Sequence, residues 1–148
     1  AFSVSLWLRA NDPVDTSSEL ILAKIAGAPA SNAGYQLGLT SGQPFFTVSN
    51  GVTFSNAQNA TTAWKTNQSQ FWVGTYDGNT SRLYIDSVVR AISATSFAKN
   101  ADNAIPLTIG RRQDGFFFTD TILKNAHNFY IHDFPNRNIF LLIFSCHQ

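Results

Sequence analysis

Apolar and polar residues alternate along much of this chain, with the two-residue period of half-buried β-strands. The first such stretch is Phe2–Arg9, in which every even position is apolar. No stretch shows a sustained apolar stripe at the 3.6-residue period, so no helix longer than one or two turns is predicted. Many short strands separated by turn residues predict an all-β sandwich.

The clearest element is a hairpin within Gln70–Arg90. Between its two strands stands Asp77-Gly78-Asn79-Thr80, a sequence typical of a turn. In the predicted register, the facing pairs are Tyr76 with Ser81, Gly74 with Leu83, and Trp72 with Ile85. This register puts the large side chains of all three pairs on one face, which we predict to be the core face. A second turn at Asp86-Ser87 then leads into a third strand.

Further strands are predicted from short apolar runs that lie between turn residues. They are Leu20–Ile25, Tyr35–Leu39, Pro44–Val48, Val52–Phe54, Pro106–Gly110, Phe116–Phe118, Thr121–Leu123, His127–Asp133 and Ile139–Phe144. Tyr35–Leu39 and Pro44–Val48 form a second predicted hairpin, and the Asn50-Gly51 turn signal follows it. The polar segment Ser55–Ser69 fits either an edge strand or a loop.

Five short motifs occur along the chain, and their order and spacing together are a more specific signal than any single motif. They are FSVSLWLRA at residues 2–10, ILAKIAG at 21–27, GYQLGLTSGQPFFTVSNG at 34–51, VGTYDGNTSRLYID at 73–86 and PLTIGRR at 106–112. Together they resemble the laminin G-like domains of the concanavalin A-like lectin and glucanase superfamily. The resemblance covers roughly residues 1–133. It implies a jelly roll, a sandwich of two antiparallel sheets, in an extracellular or surface-exposed protein.

The chain departs from the family pattern in several places. Ser87 stands where the pattern has a glycine. The positions that match the late-strand motif G-x-I-x-x-x-x-I-Y hold Lys124, Ala126, Ile131 and His132, so the glycine and the first isoleucine are lost. In the family another strand usually precedes the one that opens this chain. We therefore expect residues 1–148 to be a single domain that lacks a first strand and belongs to a longer protein. The apolar run near the C-terminus is expected to replace that strand at a sheet edge.

The composition argues against several classes of partner and of site. The net charge is +1 with no basic run, so nothing indicates nucleic acid or an anionic membrane as a partner. The longest apolar run is Ile139–Phe144, which is far shorter than the roughly 20 residues needed to cross a bilayer. The single cysteine, Cys146, excludes an intrachain disulfide and a cysteine-based zinc cluster.

Catalytic motifs are missing from the sequence. The glucanases of this superfamily use carboxylates at E-x-D-x-E spacing, whereas Glu19 is the only glutamate here. Neither a G-x-S-x-G elbow nor a P-loop occurs. His127 and His132 are five residues apart, so on one strand they point to opposite faces. The sequence therefore predicts a protein that is not an enzyme and needs no cofactor.

A bound calcium ion is compatible with the resemblance, because several laminin G-like domains hold one with aspartate and backbone oxygens. Such a hard cation requires clustered oxygen ligands. Asp12 and Asp15 share one loop, and Asp114 and Asp120 flank one predicted hairpin. Neither pair lies in a recognised calcium-loop pattern, so solvated turn aspartates are the alternative.

Sugar binding calls for an exposed aromatic ring with polar groups beside it. Trp64 lies in a polar segment and is the candidate ring, whereas Trp7 and Trp72 lie in alternating strands and are predicted to be core residues. Arginine suits planar hydrogen bonding. The candidate ligand-binding residues are Trp64, Arg111, Arg112, Asp114, Asp77 and Asn79. The alternatives are packing of the tryptophan on its own sheet and surface ion pairing of the arginines with the aspartate.

Three sequons, at Asn59, Asn67 and Asn79, lie in predicted loops or turns and could accept N-linked glycans. Two functions then remain. The first is a recognition or adhesion module that binds glycan or a protein surface through loops at the sandwich rim. The second is a structural subunit that assembles into a filament, coat or surface layer, with self-association through an open sheet edge.

Overall fold

The structure of the protein is a computed structural model that describes residues 1–9, 19–60, 65, 68–97, 104–110, 112, 128–133 and 139–145. These residues form eleven strands and no helix. The strands are β1 (Phe2–Arg9), β2 (Glu19–Lys24), β3 (Ala33–Thr40), β4 (Gln43–Asn50), β5 (Phe54–Gln58), β6 (Ser69–Tyr76), β7 (Thr80–Ile85), β8 (Val88–Ala94), β9 (Thr108–Ile109), β10 (Asn128–Asp133) and β11 (Ile139–Ser145). The described residues contain no helix that is long and apolar enough to cross a membrane.

Two sheets form the molecule. One has six strands in the order β10-β11-β1-β6-β7-β8, and the other has five in the order β5-β4-β3-β2-β9. Neighbouring strands are antiparallel except β1 and β11, which pair in parallel. The prediction of an all-β sandwich with two sheets is confirmed.

The predicted register of the central hairpin is also confirmed. Trp72 faces Ile85, Gly74 faces Leu83, and Tyr76 faces Ser81. Of the six, Trp72, Tyr76, Leu83 and Ile85 are each at most 1% exposed. This face of β6 and β7 packs into the core, where residues of β1, β3 and β4 join it.

The prediction that Trp7 is a core residue is wrong. Its side chain is 41% exposed, and its ring centroid lies 5.2 Å from that of Phe71 on the neighbouring strand. Leu6 and Leu8 face the core and are at most 4% exposed. Because side chains alternate along a strand, Trp7 has to lie on the outer face of the six-stranded sheet.

The turn at Asp86-Ser87 tolerates the loss of the family's glycine. Both residues have positive φ, at 53° and 65°, as the tight type I′ hairpin turn requires. The Asp86 carboxylate anchors this turn, since it accepts hydrogen bonds from the Phe71 N–H at 2.9 Å and from Gln70 Nε2 at 3.3 Å. A serine can therefore take a conformation that glycine adopts more readily.

Three details differ from the predictions. The C-terminal strand β11 lies between β1 and β10, so it is not the edge strand that was expected. Pairing between such distant segments leaves no local sequence signal.

The strand predicted to start at Val52 begins at Phe54, because Asn50 Oδ1 accepts hydrogen bonds from the N–H groups of Val52 and Thr53 and prolongs the turn. β9 has only two residues. The predicted strands Phe116–Phe118 and Thr121–Leu123 lie outside the described residues.

Candidate ligand groove on the five-stranded sheet

A groove of about 320 Å³ lies on the outer face of the five-stranded sheet, the face turned away from the core. Strand residues that line it include Leu20, Gln36, Phe45, Thr47, Phe54 and Asn56. The loop residues Ala28, Pro29 and Ala30, together with Arg112, complete much of its wall. Its volume is at the small end of the range of about 300–1,000 Å³ that is usual for ligand sites.

Cross-strand pairs build the floor of the groove in two rows. In the first row, Gln36 of β3 pairs with Thr47 of β4, which pairs with Asn56 of β5. In the second row, Gly38 of β3 pairs with Leu20 on one side and with Phe45 on the other. Because glycine has no side chain, this row has a gap at its centre. The first row is polar, and the second is apolar with a hollow.

The β2–β3 loop forms a wall at one end of this floor. Ser49 Oγ, on the outer face of β4, donates a hydrogen bond to the Pro29 carbonyl at 2.5 Å. Asn32 Nδ2 donates to the Ala28 carbonyl at 3.0 Å and so closes the loop on itself. The chain re-enters β3 at Gly34, where a side chain would run into the Lys24 carbonyl and where φ is 142°. A glycine at this position lets the loop fold back over the sheet.

A chain of side-chain hydrogen bonds runs across the polar part of this face. Thr47 Oγ1 donates to Asn56 Oδ1 at 2.8 Å, and Asn56 Nδ2 donates to Gln58 Oε1 at 3.1 Å. Gln58 Nε2 then donates to Gln43 Oε1 at 2.7 Å. Each amide is therefore oriented by its neighbour. The Thr47 hydroxyl has given its only proton to this chain and cannot donate another to the groove.

Gln36 differs from these neighbours. Its side chain is only 7% exposed, and its Oε1 has no hydrogen-bond partner in the part of the chain that the structure describes. Leaving a buried polar atom without a partner costs on the order of 1–3 kcal/mol. A strong acceptor therefore lines the groove and is in need of a donor.

Arg112 is the charged residue that the structure places in the groove lining. Its side chain is half-buried. No carboxylate occurs among the described residues that line the groove. Arg112 was one of the candidate ligand-binding residues, and this position is compatible with that prediction.

Asp77 and Asn79 do not belong to the groove, because they form the turn between β6 and β7 of the other sheet. Asp77 accepts hydrogen bonds from the N–H groups of Asn79 and Thr80 at 2.9 and 2.7 Å, and from Arg82 Nη1 at 2.7 Å. The Arg82 hydrogen bond, followed by the two backbone donors, lowers the pKa of Asp77 to about 2. The carboxylate thus stabilises the turn by binding groups of its own chain.

Replacing Arg82 with alanine is expected to raise the pKa of Asp77 from about 2 part of the way to its ordinary 3.8, because the largest stabilising contact is lost. Since the folded pKa is the lower one, the stability that this carboxylate contributes is present above about pH 4 and falls as pH drops towards 2. An NMR titration of the carboxyl carbons measures the shift. Arg90→Ala, an exposed arginine on β8, is the matched control, and an unchanged Asp77 titration in Arg82→Ala would contradict this account.

Other candidate residues lie outside the described part of the chain: Trp64, Arg111, Asp114 and Asn67, and the possible calcium ligands Asp12, Asp15 and Asp120. Among the residues that are described, no group of three or more His, Cys, Asp or Glu side chains could hold a metal ion. Of the other two sequons, Asn79 is exposed, whereas the Asn59 side chain is 7% exposed. The folded chain therefore has little room for a glycan at Asn59.

The polar floor of the groove was not predicted from the sequence. The signal was present in the predicted hairpin of Tyr35–Leu39 and Pro44–Val48, whose outward positions hold Gln36 and Thr47 side by side. A polar residue at an outward position is normally interpreted as solvent-facing. Gln36 is nevertheless buried, and it shares the groove lining with residues of the β2–β3 loop, whose position no local pattern predicts.

Comparisons with known proteins agree with this architecture. A laminin G family model, described as concanavalin A-like lectin/glucanases superfamily, matches residues 1–130. Seven chains of solved structures match as well. One of them, Ruminococcus gnavus IT-sialidase CBM40, has 11% sequence identity and a TM-score of 0.57, with 81% of this chain and 71% of that chain covered. Identity this low shows a shared fold alone. No curated protein matches the chain.

Proposed function

Because the chain belongs to the concanavalin A-like lectin/glucanases superfamily, we propose that it is a non-catalytic recognition module that binds a glycan in the groove of the five-stranded sheet. The observation that carries this proposal is Gln36, whose buried Oε1 has no partner among the described residues and which lines a ligand-sized groove. Its place would be in a larger extracellular or surface-exposed protein.

The chemistry of the groove suits a sugar. A pyranose has apolar C–H faces and polar edges, so its site needs both kinds of surface. Phe45 and Phe54 supply aromatic rings, and Phe54 is 45% exposed and accessible to a ligand. Gln36 and Arg112 supply an acceptor and a set of donors. Sites of this composition, mostly apolar with a few oriented polar groups, are usual for small ligands.

The solved structure that shares the fold adds support. It is the carbohydrate-binding module CBM40 of a sialidase and not a catalytic domain. Hydrolysis of glycosides ordinarily uses two carboxyl groups that face each other across the bound sugar. The described lining of the groove holds a guanidinium and amides instead. These features favour holding a glycan over cleaving it.

A glycan array followed by calorimetry with the best ligand tests this proposal. Phe54→Ala and Arg112→Ala are each expected to weaken binding about tenfold or more, which corresponds to about 1.4 kcal/mol. The matched controls lie on the other sheet: Ile92→Ala, which removes a side chain that is 61% exposed, and Arg90→Ala. Both controls should bind like the unmodified protein.

Two results would overturn the proposal. One is the absence of any glycan that binds. The other is a glycan whose affinity drops in Trp64→Ala but not in either groove variant, because a rim loop would then hold the ligand, as the sequence alone suggested.

A further inference from the structure

The unmet acceptor in the groove has no donor among its neighbours on the sheet. Gln36 pairs with Thr47 on one side, whose hydroxyl proton is committed to Asn56. On the other side it pairs with Ala23, which has no polar side-chain atom. The next row on the same face is the apolar one formed by Leu20, the Gly38 gap and Phe45. Among the described residues, the neighbours of Gln36 on the sheet therefore supply no donor for its Oε1, and a ligand in the groove can supply one.

From this arrangement we infer that the glycan bound in the groove carries an acetamido group, as N-acetylated amino sugars do. The inference rests on the proposed function and names the class of sugar. An amide N–H donates one hydrogen bond and has no lone pair of its own that needs a partner. A sugar hydroxyl that donated to Gln36 would bring two lone pairs of its own to the same point, where neither Thr47, whose proton is donated to Asn56, nor the apolar row offers a donor.

The rest of the acetamido group matches its surroundings. Its methyl group is small and apolar, as is the hollow that Gly38 leaves between Leu20 and Phe45. Burying a methyl group there removes apolar surface from water on both sides. Its carbonyl oxygen is an acceptor, and the groove lining contains the Arg112 guanidinium, a group that carries only hydrogen-bond donors.

Pairs of sugars that differ only in the acetamido group test this inference separately from the proposed function. N-acetylglucosamine and glucose differ only in this group, as do N-acetylgalactosamine and galactose. In an NMR titration at millimolar concentrations, we expect one or both acetylated sugars to bind at least tenfold more tightly than the parent sugar. Glucosamine should gain less than N-acetylglucosamine, because its ammonium group can donate to Gln36 but lacks both the methyl and the carbonyl.

Gln36→Leu is the variant that tests the mechanism. It removes the acceptor, so the preference for the acetylated sugar should fall to less than threefold. The variant removes a buried Oε1 that has no partner among the described residues, so its thermal unfolding temperature should equal or exceed that of the unmodified protein. Gln36→Glu keeps an acceptor at the same place and should keep the preference.

The possible outcomes are distinguishable. Groove binding with equal affinity for each sugar and its acetylated partner overturns this inference and leaves the proposed function standing. A preference that survives in Gln36→Leu also overturns it, because the acetamido group would then be recognised elsewhere. If no sugar or glycan binds in the groove, both fail.

Discussion

Replacing Gly74 with alanine should lower the free energy of unfolding by about 3 kcal/mol, the upper part of the usual range for overpacking a core. A Cβ atom at this position would lie 2.6 Å from Phe46 Cγ and 2.7 Å from Phe46 Cε2. Phe46 is fully buried on the opposite sheet, where its ring centroid lies 6.1 Å from that of Phe2. The ring cannot move away without disturbing the neighbours that enclose it.

A double-mutant cycle measures this contact directly. Phe46→Leu alone should also be destabilising, because it opens space beside Gly74. In the double variant the added methyl group fills part of that space, so the combined loss should be smaller than the sum by at least about 1 kcal/mol. Urea unfolding gives all four free energies. Additive losses would show that the two sheets do not meet here as described.

The second large effect is a loss of stability at high pH that depends on Tyr35. Burial raises the pKa of Tyr35 from 10.0 to about 12. Its side chain is 4% exposed, and its ring packs 5.0 Å from that of Phe2. Above pH 10 the unfolded chain releases this proton while the folded chain retains it, so rising pH favours unfolding. A shift of two pKa units corresponds to a loss of up to about 3 kcal/mol, complete only near pH 12.

Tyr35→Phe should remove this part of the alkaline sensitivity. Between pH 9 and pH 12, the unmodified protein should lose up to about 3 kcal/mol more unfolding free energy than the variant does. Burial also raises the pKa of Tyr76, so some sensitivity should remain in the variant. Parallel stability curves for the two proteins over this range would contradict the burial of Tyr35.

The fold was largely predictable because its signals are local. Alternation along β6 and β7, with turn residues between them, determines which side chains face the core, and Trp72 is buried as a result. The same alternation also contained the correct answer for Trp7. The error came from treating a large aromatic ring as a core residue when its neighbours Leu6 and Leu8 already occupied the core face.

The candidate site was less predictable, because it depends on contacts between distant segments. Arg112 was identified from its chemistry, yet its place in the groove depends on how the chain after β9 lies against the five-stranded sheet. Gln36 was missed because its burial depends on structure that no local pattern predicts. The parallel pairing of β1 with β11 is another contact between distant segments, and no local pattern indicates it.

The central claim is that the groove on the five-stranded sheet holds the ligand. Its most direct test is a map of backbone amide chemical shifts during titration with a glycan that binds. We expect the largest changes at Gln36, Thr47 and Asn56, with little change around Trp7 and Phe71 on the outer face of the other sheet. Changes confined to that other sheet, with none at Gln36, would contradict the account.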